Sequence, residues 1–300
     1  MYIDESALAG DDQYTKKYFT IEHGVLTEFP ERATRVLRSD EINKDSLFET
    51  RGEFVRASDA GLSSRLTNAS VSIAKIPLEA GASGVFVNHR GKQYQLTAAH
   101  VVSGKDEAGK SIKYHKNNYV AEFPINDLKL LYTSESAYER NLPLGDLAIY
   151  ELPFIVDGVD LANDTSSDLD AVLVGYPARF TKVWSEQLQP LCSYGRATIV
   201  QPRPPQKPQF GLPSPSFADF SKHVRRNTRG EIPTQLPKLD FTGVSRGGNS
   251  GGGLFNTDGQ LIGILSGSGT RKIPLCPPFT RDDEYTELVD VRGLFEQLGI

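Results

Sequence analysis

Short apolar runs separated by turn-forming residues constrain the fold of this chain more than any other feature. Its 300 residues include 27 glycines and 18 prolines. Both residue types interrupt helices and favour turns, and short runs between them are typical of strands. We therefore expect an all-β fold, and this length is sufficient for one or two domains of ordinary size.

Charge and cysteine content narrow the classes of function. The formal net charge is −5 and the sequence pI is about 5.6, which argues against a nucleic-acid partner bound through phosphates. This charge is compatible with protein or peptide substrates. Cys192 and Cys276 are the only cysteines, so we expect no disulfide framework, and both residues are interpreted as buried thiols.

The first residues have neither the basic nor the apolar part of a signal peptide, and no apolar run has membrane-spanning length. We expect a cytoplasmic protein without membrane association. A secreted mature form that has lost its leader is the alternative.

The strand pattern begins at Ser70, after an N-terminal extension over residues 1–69. Within the extension we predict two short amphipathic helices, Glu31–Arg38 and Lys44–Arg56. Their buried sides would consist of Val36, Leu37, Leu47, Phe48, Phe54 and Val55. The extension is expected to pack on the protein, with an inhibitory or partner-recruiting role as the alternative.

Two groups of strands follow. The first, at about 70–153, comprises the runs 71–76, 84–87, 93–97, 119–123, 128–132 and 147–152, and Asn88-His-Arg-Gly91 is expected to form the turn between the second and third runs. The second, at about 168–280, starts with 171–177, 192–200 and 240–242 and contains a hairpin around Asp258-Gly259. A proline-rich basic segment, 202–237, is expected to be an irregular loop. Residues 285–298 have helical spacing of apolar side chains and predict a C-terminal helix.

The pentapeptide Gly248-Asn249-Ser250-Gly251-Gly252 is the strongest functional motif. It places a hydroxyl among residues that allow sharp turns and expose backbone amides, as a nucleophilic serine requires. The α/β-hydrolase elbow has the same spacing, but there the histidine follows the serine and a helix comes next. The last histidine in this chain is His223, and three consecutive glycines begin a helix poorly.

Two segments upstream supply the other groups of a serine site. Thr97-Ala98-Ala99-His100 places an imidazole after an apolar strand, among small residues. Asp146 begins the run Asp146-Leu-Ala-Ile149, where a partly desolvated carboxylate requires a partner that the Nδ1–H of His100 can provide. These segments and the Ser250 motif resemble the three signatures of trypsin-like serine peptidases of the chymotrypsin fold.

The resemblance extends from about Ser70 to Ile300 and implies two six-stranded antiparallel barrels with the site between them. Ser250 would be the nucleophile, His100 the general base and acid, and Asp146 the residue that orients the imidazole. The amides of Gly248 and Ser250 would form the oxyanion hole. Substrate would pair with Ser266-Gly267-Ser268, with Ser266 near Asp146.

Asn249 stands where digestive proteases have an aspartate, so activation by a new N-terminus is not expected. This residue, Gly175-Tyr176-Pro177 and the few cysteines make the chain similar to the Deg/HtrA-like bacterial branch, without a PDZ domain after the last helix. Val244 stands where trypsin-type enzymes have an acid. Together with Ser245 and Ser268 it indicates a small or medium uncharged P1 side chain, and Arg246, Arg271 and Lys272 leave an acidic one as the alternative.

No cofactor or metal is expected. The remaining histidines, His23, His89, His115 and His223, lack metal-site spacing and are interpreted as solvent-exposed. We expect a serine endopeptidase acting on protein or peptide substrates, with a regulatory partner for the extension as a hypothesis. The alternative function is a catalytically silent double barrel that binds peptides.

Overall fold

A computed structural model describes most of the chain, and its secondary structure is mainly β. The described residues are 14–15, 18–22, 25–29, 33–49, 53–75, 79–102, 114–116, 128–133, 136–137, 140, 142–164, 166–177, 190–200, 235–274 and 280–300. Most of the proline-rich segment 202–237, together with His23, His223, Cys276 and the predicted strand 119–123, lies outside them.

The N-terminal extension contains mainly strands, and only a 3₁₀ helix over Lys44–Glu49 corresponds to part of the two predicted helices. Its elements are β1 (Tyr14–Thr15), β2 (Tyr18–Glu22), β3 (Val25–Phe29), β4 (Ala33–Val36), a 3₁₀ helix (Lys44–Glu49), β5 (Glu53–Arg56) and the helix α1 (Ser64–Ala69). Strand β4 pairs in parallel with β5. The first helical prediction was wrong and the second is met only over Lys44–Glu49, because Val36, Phe54 and Val55 lie in paired strands, which override a weak local period.

Six strands of the first barrel lie in the order β10-β11-β8-β7-β6-β9. They are β6 (Ser70–Lys75), β7 (Glu79–His89), β8 (Lys92–Thr97), β9 (Tyr114–Lys116), β10 (Lys129–Tyr132) and β11 (Ala148–Glu151), and a short strand β12 (Val159–Asp160) pairs with β7. Arg90 and Gly91 join β7 to β8 with φ values of 48° and 76°. Two positive φ values define the tight hairpin turn expected at this point.

The second barrel is closed. Its strands are β13 (Asp168–Gly175), β14 (Leu191–Val200), β15 (Lys238–Phe241), β16 (Gly253–Asn256), β17 (Leu261–Pro274) and β18 (Thr280–Asp290). They pair in the order β14-β13-β16-β17-β18-β15, and the pairing of β15 with β14 closes the ring. Strand β5 of the extension also pairs with the start of β14, at Leu191 and Cys192. The expected all-β, chymotrypsin-like fold is confirmed with one closed six-stranded barrel. The strands of the first barrel form an open sheet within the described residues, because its end strands β9 and β10 do not pair there.

The predicted C-terminal helix is much shorter than expected, and the second barrel continues to residue 290 rather than 280. Strand β18 occupies Thr280–Asp290, and the helix α3 covers only Leu294–Leu298. Leu288 packs in the second-barrel cluster, whereas Val289 packs in the main core. Because Leu288 and Val289 are buried on opposite faces of the strand, its end lacks the alternation of a half-buried strand. Together with Val291, Leu294 and Phe295, which follow the strand, these two residues give a spacing that resembles a helix.

One large core joins the two barrels. It includes Ile73 and Leu96 of the first barrel and Val174 and Ile264 of the second, all fully buried. A site between the barrels would therefore be supported by closely packed side chains from both of them. Within the described residues, the helices are all too short or too polar to cross a membrane.

Candidate active site

Strand pairing in the first barrel brings His100 and Asp146 together, because one lies after the end of β8 and the other before the start of its neighbour β11. His100 lies in the one-turn helix α2 (Ala99–Val102), directly after β8, and Asp146 precedes β11. The two strands are antiparallel neighbours, with Thr97 opposite Ala148. The end of one strand and the start of the other are therefore adjacent, although the residues are 46 positions apart in sequence.

Asp146 accepts two hydrogen bonds from His100. The backbone N–H of His100 donates to Oδ1 over 2.9 Å, and Nδ1 donates to Oδ2 over 2.7 Å. An ionised carboxylate can only accept, so the proton of a neutral imidazole lies on Nδ1. The lone pair of Nε2 is then left to accept a proton, which is the state required of a general base.

The environment of His100 affects its pKa in two directions. Burial favours the neutral ring and lowers the pKa, whereas the hydrogen bond to Asp146 and its negative charge raise it. The contribution of Asp146 is greater, and the pKa of His100 is raised above its ordinary value of 6.5. The imidazolium that forms when the ring takes a proton is thereby stabilised.

The loop before Ser250 contains a turn that requires glycine. The N–H of Asn249 donates to the carbonyl of Arg246 over 3.0 Å, and Gly248 has φ 95°. A hydrogen bond between the first and fourth residues with positive φ at the third defines a type II turn. Within the described residues, the N–H groups of Gly248 and Ser250 donate to no acceptor, so both remain available to a ligand.

The serine loop is packed directly against the strand that leads to His100. A Cβ on Gly251 would lie 2.1 Å from the carbonyl oxygen of Ser83 and 2.2 Å from Oγ1 of Thr97, and it would lie 3.0 Å from the backbone nitrogen of Ala98. Ala98 is two residues before His100. This contact packs the serine loop against the residues that lead to His100, and only glycine permits it. The chain after Ser250 enters strand β16, not the helix of a hydrolase elbow.

The expected base and acid are hydrogen-bonded to each other in the first barrel, and the loop that carries the expected nucleophile comes from the second barrel and packs against the strand before His100. The Oγ of Ser250 makes no hydrogen bond within the described part of the chain, and neither does Nε2 of His100. Long nucleophile–base contacts are usual before substrate binds.

The predicted substrate residues occupy the second barrel. Val244 is buried, and its carbonyl accepts from Ser193 Oγ over 2.7 Å. Ser245 Oγ lies 3.0 Å from Oγ1 of Thr286. The hydroxyl of Ser266 donates to the carbonyl of Glu287 over 3.0 Å. A Cβ on Gly267 would meet no atom within 4 Å, and Ser268 is exposed.

Other sequence interpretations have mixed outcomes. Cys192 is a fully buried free thiol, and burial raises its pKa to about 12. His89 was expected in solvent, but it is half-buried against Phe295 with ring centroids 4.8 Å apart. Among the described residues, no group of three or more His, Cys, Asp or Glu side chains is arranged to hold a metal ion.

One contributor to the site was missed by sequence reasoning. Ser83 is fully buried in β7 and donates from Oγ to the carbonyl of Gly248 over 2.8 Å. Its own N–H donates to the carbonyl of Ser250, also over 2.8 Å. The only local signal is the small-residue run Gly81-Ala-Ser-Gly84, which does not identify a partner 165 residues away.

Comparison with protein families matches residues 82–264 to the trypsin-like peptidase domain. This range is more than half of the chain and contains His100, Asp146 and Ser250. Comparison with the curated proteins finds no match.

Solved structures similar to the chain include three proteases of low sequence identity. The protein Rv3671c of Mycobacterium tuberculosis, in an inactive form, is 17% identical, with coverage of 78% of this chain and 86% of that one and a TM-score of 0.43. The MamO protease domain of Magnetospirillum magneticum is 16% identical, with coverages of 78% and 97% and a TM-score of 0.44. The serine protease domain of the Sesbania mosaic virus polyprotein is 14% identical, with coverages of 77% and 91% and a TM-score of 0.42.

Proposed function

Because this chain belongs to the family of trypsin-like peptidase domains, we propose that it is a serine endopeptidase that hydrolyses peptide bonds of protein substrates. The observation that supports the proposal most is the pair of hydrogen bonds from His100 to Asp146. The pair fixes both the orientation and the tautomer of the imidazole, and the glycine-rich serine loop packs against the strand that leads to it.

In the proposed reaction, Ser250 Oγ attacks the carbonyl carbon of the substrate while Nε2 of His100 takes the hydroxyl proton. The tetrahedral intermediate expels the amine, which leaves with that proton, and an acyl-enzyme ester remains on Ser250. Water then attacks the ester, with His100 again acting first as base and then as acid. Asp146 stabilises the imidazolium in both halves of the reaction.

The oxyanion of each intermediate would be bound by the N–H groups of Gly248 and Ser250. Both groups lack an acceptor in the described residues. Removal of one oxyanion-hole donor from a serine protease lowers kcat by about 10²- to 10³-fold. A donor that is already unpaired does not have to break another bond when the oxyanion forms.

For the substrate, we propose an extended peptide that pairs with the backbone of Ser266-Gly267-Ser268. The open space above Gly267 supports this arrangement. Val244 has no charge, so Lys and Arg side chains would lack a counter-ion at P1, and small or medium uncharged residues are expected there. Cytoplasmic location and a regulatory partner for residues 1–69 remain parts of this proposal.

A silent, peptide-binding double barrel is the second candidate. It is disfavoured because peptide binding alone does not require two hydrogen bonds between His100 and Asp146. The distinguishing experiment measures both hydrolysis and binding of a peptide library by the parent, by Ser250→Ala and by His100→Ala. Cleavage by the parent alone supports the peptidase. Binding by all three proteins without cleavage by any would identify the scaffold.

A further inference from the structure

The hydroxyl, N–H and carbonyl of Ser83 all form hydrogen bonds, and together these bonds connect the first barrel to the serine loop and to Tyr176 in the second barrel. Its Oγ donates to the carbonyl of Gly248 and accepts from the N–H of Tyr176, each over 2.8 Å. Its N–H donates to the carbonyl of Ser250, and its own carbonyl accepts from Oγ1 of Thr97 over 2.7 Å. Ser83 belongs to the first barrel, whereas Tyr176 and the serine loop belong to the second.

The two bonds from Ser83 to the loop fix the peptide planes on either side of the Ser250 N–H. The hydroxyl holds the carbonyl between Gly248 and Asn249, and the backbone N–H holds the carbonyl between Ser250 and Gly251. The peptide between these two fixed planes carries the N–H of Ser250. Its direction is therefore determined from both ends by one residue.

Gly248 by itself does not determine the direction of the other N–H. Glycine adopts positive and negative φ about equally readily, so the observed 95° requires an external constraint. Type I and type II turns differ chiefly in φ of the third residue, about −90° against about +80°, and in a flip of the central peptide. Here the central peptide carries the Gly248 N–H, and flipping it would turn this donor away from an oxyanion.

We propose that the Ser83 hydroxyl is a positioning group that keeps the Arg246–Asn249 turn in its type II form and so maintains the oxyanion hole. This inference rests on the proposed peptidase function. Ser83 touches neither the substrate nor the reacting atoms. It acts through the Gly248 carbonyl, and the catalytic consequence arises only when negative charge develops on the substrate.

The test compares Ser83→Ala with Ser70→Ala as matched control. Ser70 is also buried, and its hydroxyl donates to one backbone carbonyl, that of Leu66, over 3.1 Å. That bond lies at the end of α1, in no direct contact with the serine loop. The rate of labelling by a fluorophosphonate, kcat and KM for a fluorogenic peptide, and Tm are measured for the parent and both variants.

For Ser83→Ala we expect kcat and the labelling rate per folded molecule to fall about 10- to 100-fold, with KM nearly unchanged. Ser70→Ala should keep the parental rates. A peptide boronate, which forms a tetrahedral adduct, should bind Ser83→Ala more weakly by a similar factor, whereas a peptide amide should bind equally well. A merely structural hydroxyl would lower Tm in both variants and leave these ratios unchanged.

A second variant covers the case in which Ser83→Ala does not fold. Ser83→Cys has a similar but larger side chain with a weaker donor, so its labelling rate should lie between those of Ser83→Ala and the parent. A folded Ser83→Cys or Ser83→Ala with parental kcat and boronate affinity would overturn the inference. Absence of labelling and hydrolysis in the parent would instead overturn the proposed peptidase function.

Discussion

Replacement of Asp146 by asparagine tests the orientation of the general base. Asparagine is nearly isosteric and can still accept the backbone N–H of His100, now 2.9 Å from Oδ1. Its NH₂ group, however, would face Nδ1, which is 2.7 Å from Oδ2 in the parent. When Nδ1 accepts this N–H, the neutral ring carries its proton on Nε2. That tautomer cannot take the proton of Ser250.

The expected loss in kcat is about 10⁴-fold, the effect of this substitution in the triad of this protease class, or about 5.5 kcal/mol of transition-state stabilisation. The free energy of unfolding should change by less than about 1 kcal/mol, since both side chains are partly exposed to water. A large catalytic loss with little change in stability separates a catalytic pair from a structural one.

The pH dependence of activity tests the direction of the His100 pKa shift independently. Burial lowers the pKa of His100, and Asp146 raises it above 6.5 by a larger amount. Parental activity should therefore decline as the pH falls through a value above 6.5, and the residual activity of Asp146→Asn should decline at a lower pH. The folded state of the parent also gains stability below the unfolded pKa of His100, and this gain is lost as the pH rises through the folded pKa.

The assay is hydrolysis of a fluorogenic peptide from about pH 5 to about pH 9, with urea unfolding measured in parallel. Asp160→Asn is a suitable control, because Asp160 forms an exposed ion pair with Arg65 on the surface. Parental kcat in Asp146→Asn, or an acid limb that does not move, would refute the argument.

Three further substitutions test how the site is supported. Gly251→Ala should destabilise the fold by about 2–5 kcal/mol in urea unfolding, because φ is 85° and the Cβ would lie 2.1 Å from a backbone oxygen; a loss below about 1 kcal/mol would contradict this close packing. Phe54→Ala should cost about 3–5 kcal/mol, because this side chain of the extension is buried against Leu191 and Val244, whereas Ile155→Ala, at an exposed position, should cost less than about 0.5 kcal/mol. Arg292→Ala should cost about 3–5 kcal/mol at neutral pH, because it leaves the buried carboxylate of Asp290 without its bidentate partner; equal Tm values for this variant and the parent would show that the pair is dispensable.

Local chemistry explains which parts of the fold could be predicted from the sequence. The turn at Arg90-Gly91 and the hairpin at Asp258-Gly259 were predicted because each turn depends on residues within it. The pairing of His100 with Asp146 followed from the position of each beside a strand. The two turns are short-range signals, and they specify conformation without knowledge of the remaining chain.

Features that depend on distant partners were missed. Leu288 and Val289 are buried on opposite faces of strand β18, so the end of this strand had no strand period. Strand β5 is held by β14, more than a hundred residues later. The hydroxyl of Ser83 acquires its role only through Gly248, 165 residues away. For each of these, the information lies in a pairing between segments rather than in either segment.

The most direct test of the proposed chemistry is to locate a fluorophosphonate adduct by peptide mass spectrometry. The account predicts a single adduct on Ser250 in the parent, formed on the hydroxyl that His100 deprotonates. Ser250→Ala should carry no adduct, and His100→Ala should label at least about 10³-fold more slowly. An adduct on another serine, or equal labelling of the parent and His100→Ala, would contradict the assignment of Ser250 as the nucleophile activated by His100.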